Sequence, residues 1–327
     1  MAPLARLFAI ALVLASFGAS SAAAQQWPSR PVTLVVPFAA GGPIDSIGRI
    51  LATSLSERLG QQMIVENVGG AGGMTGTARV AKAAPDGYEI VLGNVGTHAG
   101  NQTIYRNPLY NAAIDFAPVI LVVDLPLVLV ARKDLPADDL PGFLAYAKAN
   151  QVTMQYGSGG AGSATHLACA LLNAAAGVAV THVPYRGGAP AMQDLIAGRI
   201  DYLCIDTPIA LPQIQSHTIK PIAVLTRARS PSLPALASAH EQGLANFAAA
   251  NWAGLFLPKD TPPAIVAKLH DTTAAAMETP ALQAQMQKIG ADLVAPERRS
   301  PAYLQSFVAS EIEKWAGPIK ASGLRGE

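Results

Sequence analysis

The chain alternates over most of its length between short β-branched segments and segments with the spacing of amphipathic helices. Val32–Pro37 is a run of the kind that is buried in a parallel sheet. A Gly-containing turn separates it from Ser46–Leu59, where apolar residues recur at helical spacing until Gly60 ends the helix. The strand-like segments Met63–Glu66 and Glu89–Gly93 continue the series. This βαβαβ order predicts an α/β fold with a doubly wound parallel sheet.

A second βα series follows, after which the chain returns to the first. Val119–Arg132 is a long β-prone stretch interrupted by Pro126, and we interpret it as a strand that leaves one lobe for another. Asn251–Pro258 is interpreted as the strand that returns. The length of 327 residues is also typical of two domains. The prediction is a hinged pair of lobes, the first formed by residues 25–127 plus 251–327 and the second by residues 128–250.

The N-terminal residues have the features of a secretory signal peptide. Arg6 precedes the apolar run Leu7–Phe17, and small residues follow as far as Ala24. The run is shorter than the roughly 20 residues that a membrane-spanning helix needs. We therefore expect residues 1–24 to be removed on export, leaving a mature protein in the periplasm that begins at Gln25.

Composition and cysteine spacing exclude several classes of function. The chain has 23 basic and 22 acidic side chains without a basic run, which argues against a nucleic-acid partner. Cys169 and Cys204 both lie in apolar segments, so two unpaired buried thiols are favoured, with a disulfide as the alternative. No spacing typical of a metal site is present, and we expect no metal and no cofactor.

Two glycine-rich loops occupy the same position, one in each predicted lobe. Pro37–Asp45 and Gly157–His166 both connect a strand to a helix. Backbone N–H groups at a helix N-terminus favour an anion, and glycine lets a ligand approach the backbone closely. Ligands of open α/β sheets bind beyond the carboxyl ends of the strands. The pair of loops predicts a pincer around one carboxylate, the alternative being two ordinary turns.

Several polar side chains near these loops are candidate ligand contacts. Asp45 is interpreted first as the N-cap of its helix, and otherwise as a residue that orients the loop or meets a ligand amino group. His166 either donates a hydrogen bond across its loop or contacts ligand, and Arg186 either pairs with an anion or is a solvated loop residue. The remaining candidates are hydroxyl or strand-end residues, with capping or loop roles as the alternative: Ser158, Ser163, Thr165, Thr97, His98, Asp206 and Thr207.

Motifs for catalysis are missing or incomplete. Gly157, Gly159 and Gly162 match a dinucleotide-binding fingerprint, but the next predicted strand offers Thr181 and His182 where an acidic residue is needed. The sequence contains no Gly-x-Ser-x-Gly elbow and no His-Glu-x-x-His motif. We predict that the protein is not an enzyme. A secreted α/β hydrolase or dehydrogenase is the alternative from another class.

Four runs resemble the Bug family of periplasmic solute receptors of tripartite tricarboxylate transporters: WPSRPVTLVVPFAAGGPIDSIGR, VENVGGAGGMTGTARVAKAAPDGYEIVLG, YGSGGAGSATHLA and HVPYRGGAPAMQDLIAGRIDY. The runs follow the family's order, and the resemblance covers essentially the whole mature chain. The resemblance implies a two-lobed type II periplasmic-binding fold, or Venus flytrap, with the ligand cleft between two doubly wound domains.

The resemblance also implies a function and ligand contacts. The expected ligand is a small carboxylate, such as a di- or tricarboxylate, an acidic amino acid or an aromatic acid, and the expected partners are membrane permease subunits. A sensor for a signalling partner is an alternative role, and we expect a monomer. Gly159 stands where some relatives have proline. The loop residues implied as carboxylate contacts are Phe38, Ala39, Ala40, Gly41 and Gly42 in the first loop, and Ser158 to Thr165, including Gly159, in the second.

Overall fold

The computed structural model describes residues 27–245, 247–321 and 323, so the predicted signal peptide lies outside the described residues. The strands are β1 Val32–Val36, β2 Met63–Asn67, β3 Glu89–Asn94, β4 Phe116–Arg132, β5 Gln155–Ser158, β6 Thr181–Pro184, β7 Tyr202–Asp206, β8 Ile219–Val224, β9 Ala250–Pro258 and β10 Asp292–Leu293. The helices are α1 Pro43–Leu59, α2 Met74–Ala81, α3 Asn101–Ile104, α4 Leu140–Asn150, α5 Ala164–Ala176, α6 Gly188–Ile196, α7 Thr207–Gln215, α8 Pro263–Met277, α9 Pro280–Lys288 and α10 Pro301–Ala321.

The strands form two groups that meet at β4. In the order β2-β1-β3-β9-β4-β7-β5-β6, β1 is parallel to β2 and β3, and β5 is parallel to β6 and β7. The parallel βα order predicted for each group is confirmed. The long strands β4 and β9 run antiparallel to their neighbours, which periodicity alone did not indicate. We call β1, β2, β3, β9, β10 and the start of β4 the first half, and β5 to β8 with the end of β4 the second half.

Strand β4 changes partners in the middle. Residues up to Pro126 pair with β9, and residues from Leu127 onward pair with β7. The carbonyl of Pro126 accepts a hydrogen bond from Thr207 Oγ1 at 2.8 Å, which ties the start of α7 to this exchange. The division into lobes at residues 127 and 251 stays a proposal, and the position of the exchange supports it.

The central strands of each half are buried on both faces. Leu34 and Ile90 of β1 and β3 are fully buried, as are Leu203 and Ile205 of β7. Burial on both faces explains why these strands read as continuous β-branched and aliphatic runs. Within the described ranges, no helix is both long and apolar enough to span a membrane.

Cys169 and Cys204 form a disulfide, so the favoured expectation of two unpaired thiols is wrong. Cys169 lies on α5, which packs on β7, and Cys204 lies in β7. Their Cα atoms are 5.3 Å apart, within the distance that a disulfide spans, and both side chains are fully buried. Apolar flanking sequence fits a buried thiol and a buried disulfide equally, because only the packing of α5 on β7 brings the two together.

Replacing both cysteines, as Cys169→Ala with Cys204→Ala, should lower the free energy of unfolding by about 4 kcal/mol. The bond closes a loop with a sequence separation of 35 residues, and its loss enlarges the entropy of the unfolded chain. Urea denaturation of the variant and the oxidised wild-type protein measures the difference. Two reactive thiols in the denatured, unreduced wild-type protein would contradict the pairing.

Candidate functional site

A cavity with an empty volume of about 330 Å³ lies between the two halves. Both glycine-rich loops line it, together with the ends of β3 and β7 and the start of β9. Seven of the predicted site residues are in its lining, namely Phe38, Gly42, Gly159, Ser163, Ala164, Thr165 and Asp206. Sequence reasoning missed five others, namely Pro43, Ile44, Asn94, Gly188 and Asn251.

Asp45, in the first turn of α1, holds the first loop in its conformation. Gly42 is the N-cap of α1 and Pro43 is the first helical residue, so the interpretation of Asp45 as the N-cap is wrong. Asp45 Oδ2 accepts hydrogen bonds from the Gly41 N–H at 2.9 Å and from Arg49 Nε at 3.0 Å. Its other oxygen accepts from Asn67 Nδ2 at 2.9 Å. Asp45 therefore orients the loop, which was the second interpretation.

These contacts keep Asp45 ionised although its side chain is buried. Burial alone would raise its pKa, but hydrogen bonds from Arg49, the Gly41 N–H and Asn67 hold the pKa below the ordinary value. The negative charge is thus matched by Arg49, one turn further along α1. Ala40 and Gly41 are exposed and Ala39 is half-buried, and these three are outside the cavity lining.

The second loop is held by its own side chains. Ser163 is the N-cap of α5, and its Oγ accepts from the His166 N–H at 3.3 Å. Thr165 Oγ1 accepts from the Gly159 N–H at 2.8 Å, and His166 Nδ1 accepts from the Gly162 N–H at 3.0 Å. Ser158 Oγ accepts from the Gly160 N–H at 3.1 Å. The predicted hydroxyl residues therefore fix the loop, and Ser163 and Thr165 also face the cavity.

His166 supports this loop as a neutral acceptor rather than as the predicted donor. Its ring stacks on His182 with centroids 3.9 Å apart, and His182 Nε2 lies 2.6 Å from Ser158 Oγ. Burial lowers the pKa of His166 to about 3, with a smaller effect of His182, and burial lowers the pKa of His182 to about 4. Both rings are uncharged at neutral pH, so they add no cation beside the cavity.

Thr97 and His98 do not reach the cavity, which corrects the expectation for both. A π-helical turn, Gly96–Gly100, follows β3 and turns these side chains into the core, where each is fully buried. The His98 ring stacks on Phe256 with centroids 3.8 Å apart, and Thr97 Oγ1 is 2.9 Å from its Nδ1. Burial lowers the pKa of His98 to about 3. Asn94, the last residue of β3, lines the cavity instead.

Arg186 and Thr207 also lie outside the cavity lining. The Arg186 side chain is exposed, and its carbonyl accepts a hydrogen bond from the Ala39 N–H at 3.1 Å. Thr207 is fully buried and donates to Pro126 as described above. The structure therefore favours the loop interpretation of Arg186. Thr207 binds the backbone of β4 at the point where that strand changes its partner from β9 to β7.

Asp206 and Asn251 form a polar pair across the two halves in the cavity wall. Asn251 Nδ2, at the start of β9, donates to Asp206 Oδ1 at the end of β7, over 2.6 Å. The side chains are nearly completely buried, with 3% and 1% exposed. Burial raises the pKa of Asp206 to about 6 against the opposing effect of Asn251. Among the described residues that line the cavity, Asp206 is the sole ionisable one.

Several contacts join the two halves near the cavity. Besides the bond between Ala39 and Arg186, Tyr105 Oη donates to the Ala161 carbonyl at 3.2 Å. Gly72, in the first half, has φ +60°, and a Cβ atom there would lie 2.1 Å from the Ala161 oxygen of the second loop. The halves are therefore in direct contact around the cavity. Within the described ranges, no cluster of three or more potential metal ligands is present.

Comparison with known proteins gives matches over nearly the whole chain. Residues 47–324 match the model of the family described as the tripartite tricarboxylate transporter family receptor. A protein of Agrobacterium vitis, encoded in the TAR-I ttuE-ttuC' intergenic region, is 40% identical over 92% of this chain and 87% of its own length.

Two solved structures share the fold and more than a third of the sequence. The periplasmic binding protein BugD superposes with a TM-score of 0.88 at 38% identity, over 92% of this chain and 100% of BugD. MatC from Rhodopseudomonas palustris, with bound malate, superposes with a TM-score of 0.87 at 36% identity, over 90% of this chain and 100% of MatC. The predicted family and the two-lobed periplasmic-binding fold are confirmed.

Asp206→Asn should stabilise the protein without ligand at pH 8. The pKa of about 6 in the folded state exceeds the ordinary value of 3.8, so stability falls as pH rises between these values. The buried ionised carboxyl then costs up to about 3 kcal/mol above pH 6. The amide keeps an oxygen to accept from Asn251 and carries no charge.

Urea denaturation at pH 8 and pH 4 measures this effect. The variant should gain free energy of unfolding at pH 8 and should differ far less from the wild-type protein at pH 4, where the carboxyl is protonated in the folded protein and about half protonated in the unfolded chain. Equal stability at both pH values would show that Asp206 is not ionised at a cost in the folded protein.

Proposed function

The chain belongs to the tripartite tricarboxylate transporter receptor family, and we propose that it captures a small carboxylate between its two halves and delivers it to the membrane permease of such a transporter. The family consists of solute-binding receptors rather than enzymes. We further propose that residues 1–24 direct export and that the mature receptor acts in the periplasm. The malate bound to MatC supports a carboxylate as the ligand class.

The observation that carries this proposal is the placement of both helix N-termini at one cavity. The 17-residue helix α1 begins at the first loop and the 13-residue helix α5 begins at the second, and residues of both loops line the cavity. The positive ends of two helix dipoles and the adjacent backbone amides favour an anion there. One carboxylate can contact both halves at once.

The side chains that line the cavity support recognition without a salt bridge. Among the described lining residues there is no lysine, arginine or histidine. A carboxylate is then held by hydrogen bonds from amides and from the hydroxyls of Ser163 and Thr165. Such neutral donors avoid the desolvation cost of burying a cation, and they impose directional contacts on the ligand.

Closure around the ligand is the expected mode of capture. Residues 25–127 with 251–327, and residues 128–250, are proposed as the two moving lobes. Ligand contacts from both lobes exist only in the closed form, so binding stabilises that form by the difference in affinity. The contact between Gly72 and the second loop belongs to the closed arrangement, since it joins the two halves.

A thermal-shift screen of the mature protein against small carboxylates should find a ligand. A carboxylate at about 100 times its Kd adds roughly 2.7 kcal/mol to the free energy of unfolding, which raises Tm visibly. Esters and amides of the same acids are the matched controls and should give no shift. Absence of any shift across di-, tri-, amino and aromatic acids, in protein first unfolded and refolded to remove bound ligand, contradicts the proposal.

Gly72→Ala should weaken carboxylate binding at least about tenfold, which corresponds to 1.4 kcal/mol. The new Cβ would occupy the position of the Ala161 oxygen and keep the halves apart. Isothermal titration with a carboxylate from the screen measures the loss.

Gly60→Ala is the matched control for backbone strain. Gly60 has φ +67°, close to the +60° of Gly72, but no atom lies within 4 Å of its added Cβ. Both substitutions should cost similar stability, about 1–2 kcal/mol for a left-handed residue, whereas Gly60→Ala should retain affinity. Equal affinities in the two variants would exclude closure through this contact.

A further inference from the structure

Asp206 lies at the cavity, and no cationic side chain pairs with it among the described residues. Its Oδ1 accepts from Asn251, and the other influences on its pKa are burial and its own backbone. The residues next to it on each side are neutral: Asn251 on β9, Thr207 at the start of α7, and Leu127, its register partner on β4. A buried carboxyl that lacks a cationic partner is costly to keep ionised.

Asp45, which orients the first loop, is a buried carboxyl with which Asp206 can be compared. Asp45 is also buried, but Arg49 and two further donors contact it and lower its pKa. Asp206 has one side-chain donor, and its ionisation is costly in the protein without ligand. Titratable groups with such costs, located in a cleft, are typical of functional sites.

The ionised form of Asp206 has a definite chemical preference. At neutral pH, above its pKa of about 6, the carboxyl is mainly ionised and accepts hydrogen bonds. A ligand hydroxyl or ammonium group can donate to it, and a bond to a charged acceptor is about twice as strong as a neutral one. A second ligand carboxylate at the same place would repel it, because Asp206 is buried and solvent screens such a pair poorly.

We propose that Asp206 selects carboxylates that carry a hydrogen-bond donor, an ammonium or hydroxyl group, and that it disfavours acids with no such donor. This inference rests on the proposed function, because it assigns a ligand class to the same cavity. Asp206 is a specificity-determining residue in this assignment, while Asn251 positions its carboxyl from the other half.

Isothermal titration at pH 8 with two series of acids tests the assignment. Alanine, lactate and propionate differ only in an ammonium, a hydroxyl or a hydrogen at one carbon, as do aspartate, malate and succinate. In the wild-type protein the donor-bearing acids of the series that binds should be at least about tenfold tighter than the unsubstituted acid. In Asp206→Asn the ratio of the Kd of the unsubstituted acid to that of its donor-bearing analogue should fall by about tenfold. Comparison of the amino acid with the hydroxy acid then identifies which donor group Asp206 prefers.

Asp138→Asn is the control for loss of one negative charge. Asp138 lies in the same half, is 90% exposed and pairs with Lys220 at the surface. It should leave every Kd unchanged, because an exposed pair contributes little and is screened.

The outcomes separate this inference from the proposed function. Unsubstituted acids that bind as tightly as their amino and hydroxy analogues would overturn the selectivity but leave carboxylate capture intact. A parallel loss of affinity for every acid in Asp206→Asn would likewise overturn it, and would reduce Asp206 to a link between the halves. Failure of all acids in the thermal-shift screen contradicts the proposed function itself.

Discussion

The backbone ladder of β4 is the constraint on which the site depends. The strand pairs with β9 as far as Pro126 and with β7 from Leu127, so one continuous strand belongs to both halves. This exchange brings the end of β7 beside the start of β9, where Asp206 meets Asn251. It also points the carboxyl ends of β1 and β5, each followed by a glycine-rich loop, at a common cavity. The exchange of partners along β4 thus determines which loops lie beside the same cavity.

The electrostatics of the cavity depend on the charges of its lining residues and of the side chains behind its two loops. Arg49 neutralises Asp45 within the first loop, and the His166 and His182 rings are uncharged behind the second. An anion in the cavity therefore meets helix N-termini and neutral donors, and the described lining residues include no side-chain cation. Asp206 is the exception, because it introduces negative charge into a place that favours anions. A ligand that unites a carboxylate with a donor group satisfies both features.

The sequence indicated the parallel βα order of each half, the return strand and both loops, because glycine punctuation and apolar periodicity are local signals. Sequence-based prediction was wrong for features that depend on tertiary packing. Aspartate is a residue type that favours the N-cap position, but Gly42 is the N-cap of α1 and Pro43 its first residue. Asp45 instead accepts a hydrogen bond from the Gly41 N–H of the loop. Thr97 and His98 follow a strand but turn inward, since a helical turn begins directly after β3. The disulfide depended on the packing of α5 on β7, which no flanking residue reveals.

The cross-half position of Asp206 connects selectivity to closure. Asn251 of the first half buries and holds Asp206 of the second, so the cost of its ionisation arises when the halves are together. A ligand donor that meets Asp206 offsets that cost where the two halves are together. The donor therefore contributes differential affinity for the closed form, which is the quantity that shifts a conformational equilibrium. An acid without a donor leaves the cost in place, and it favours closure less even where its carboxylate binds the same two loops.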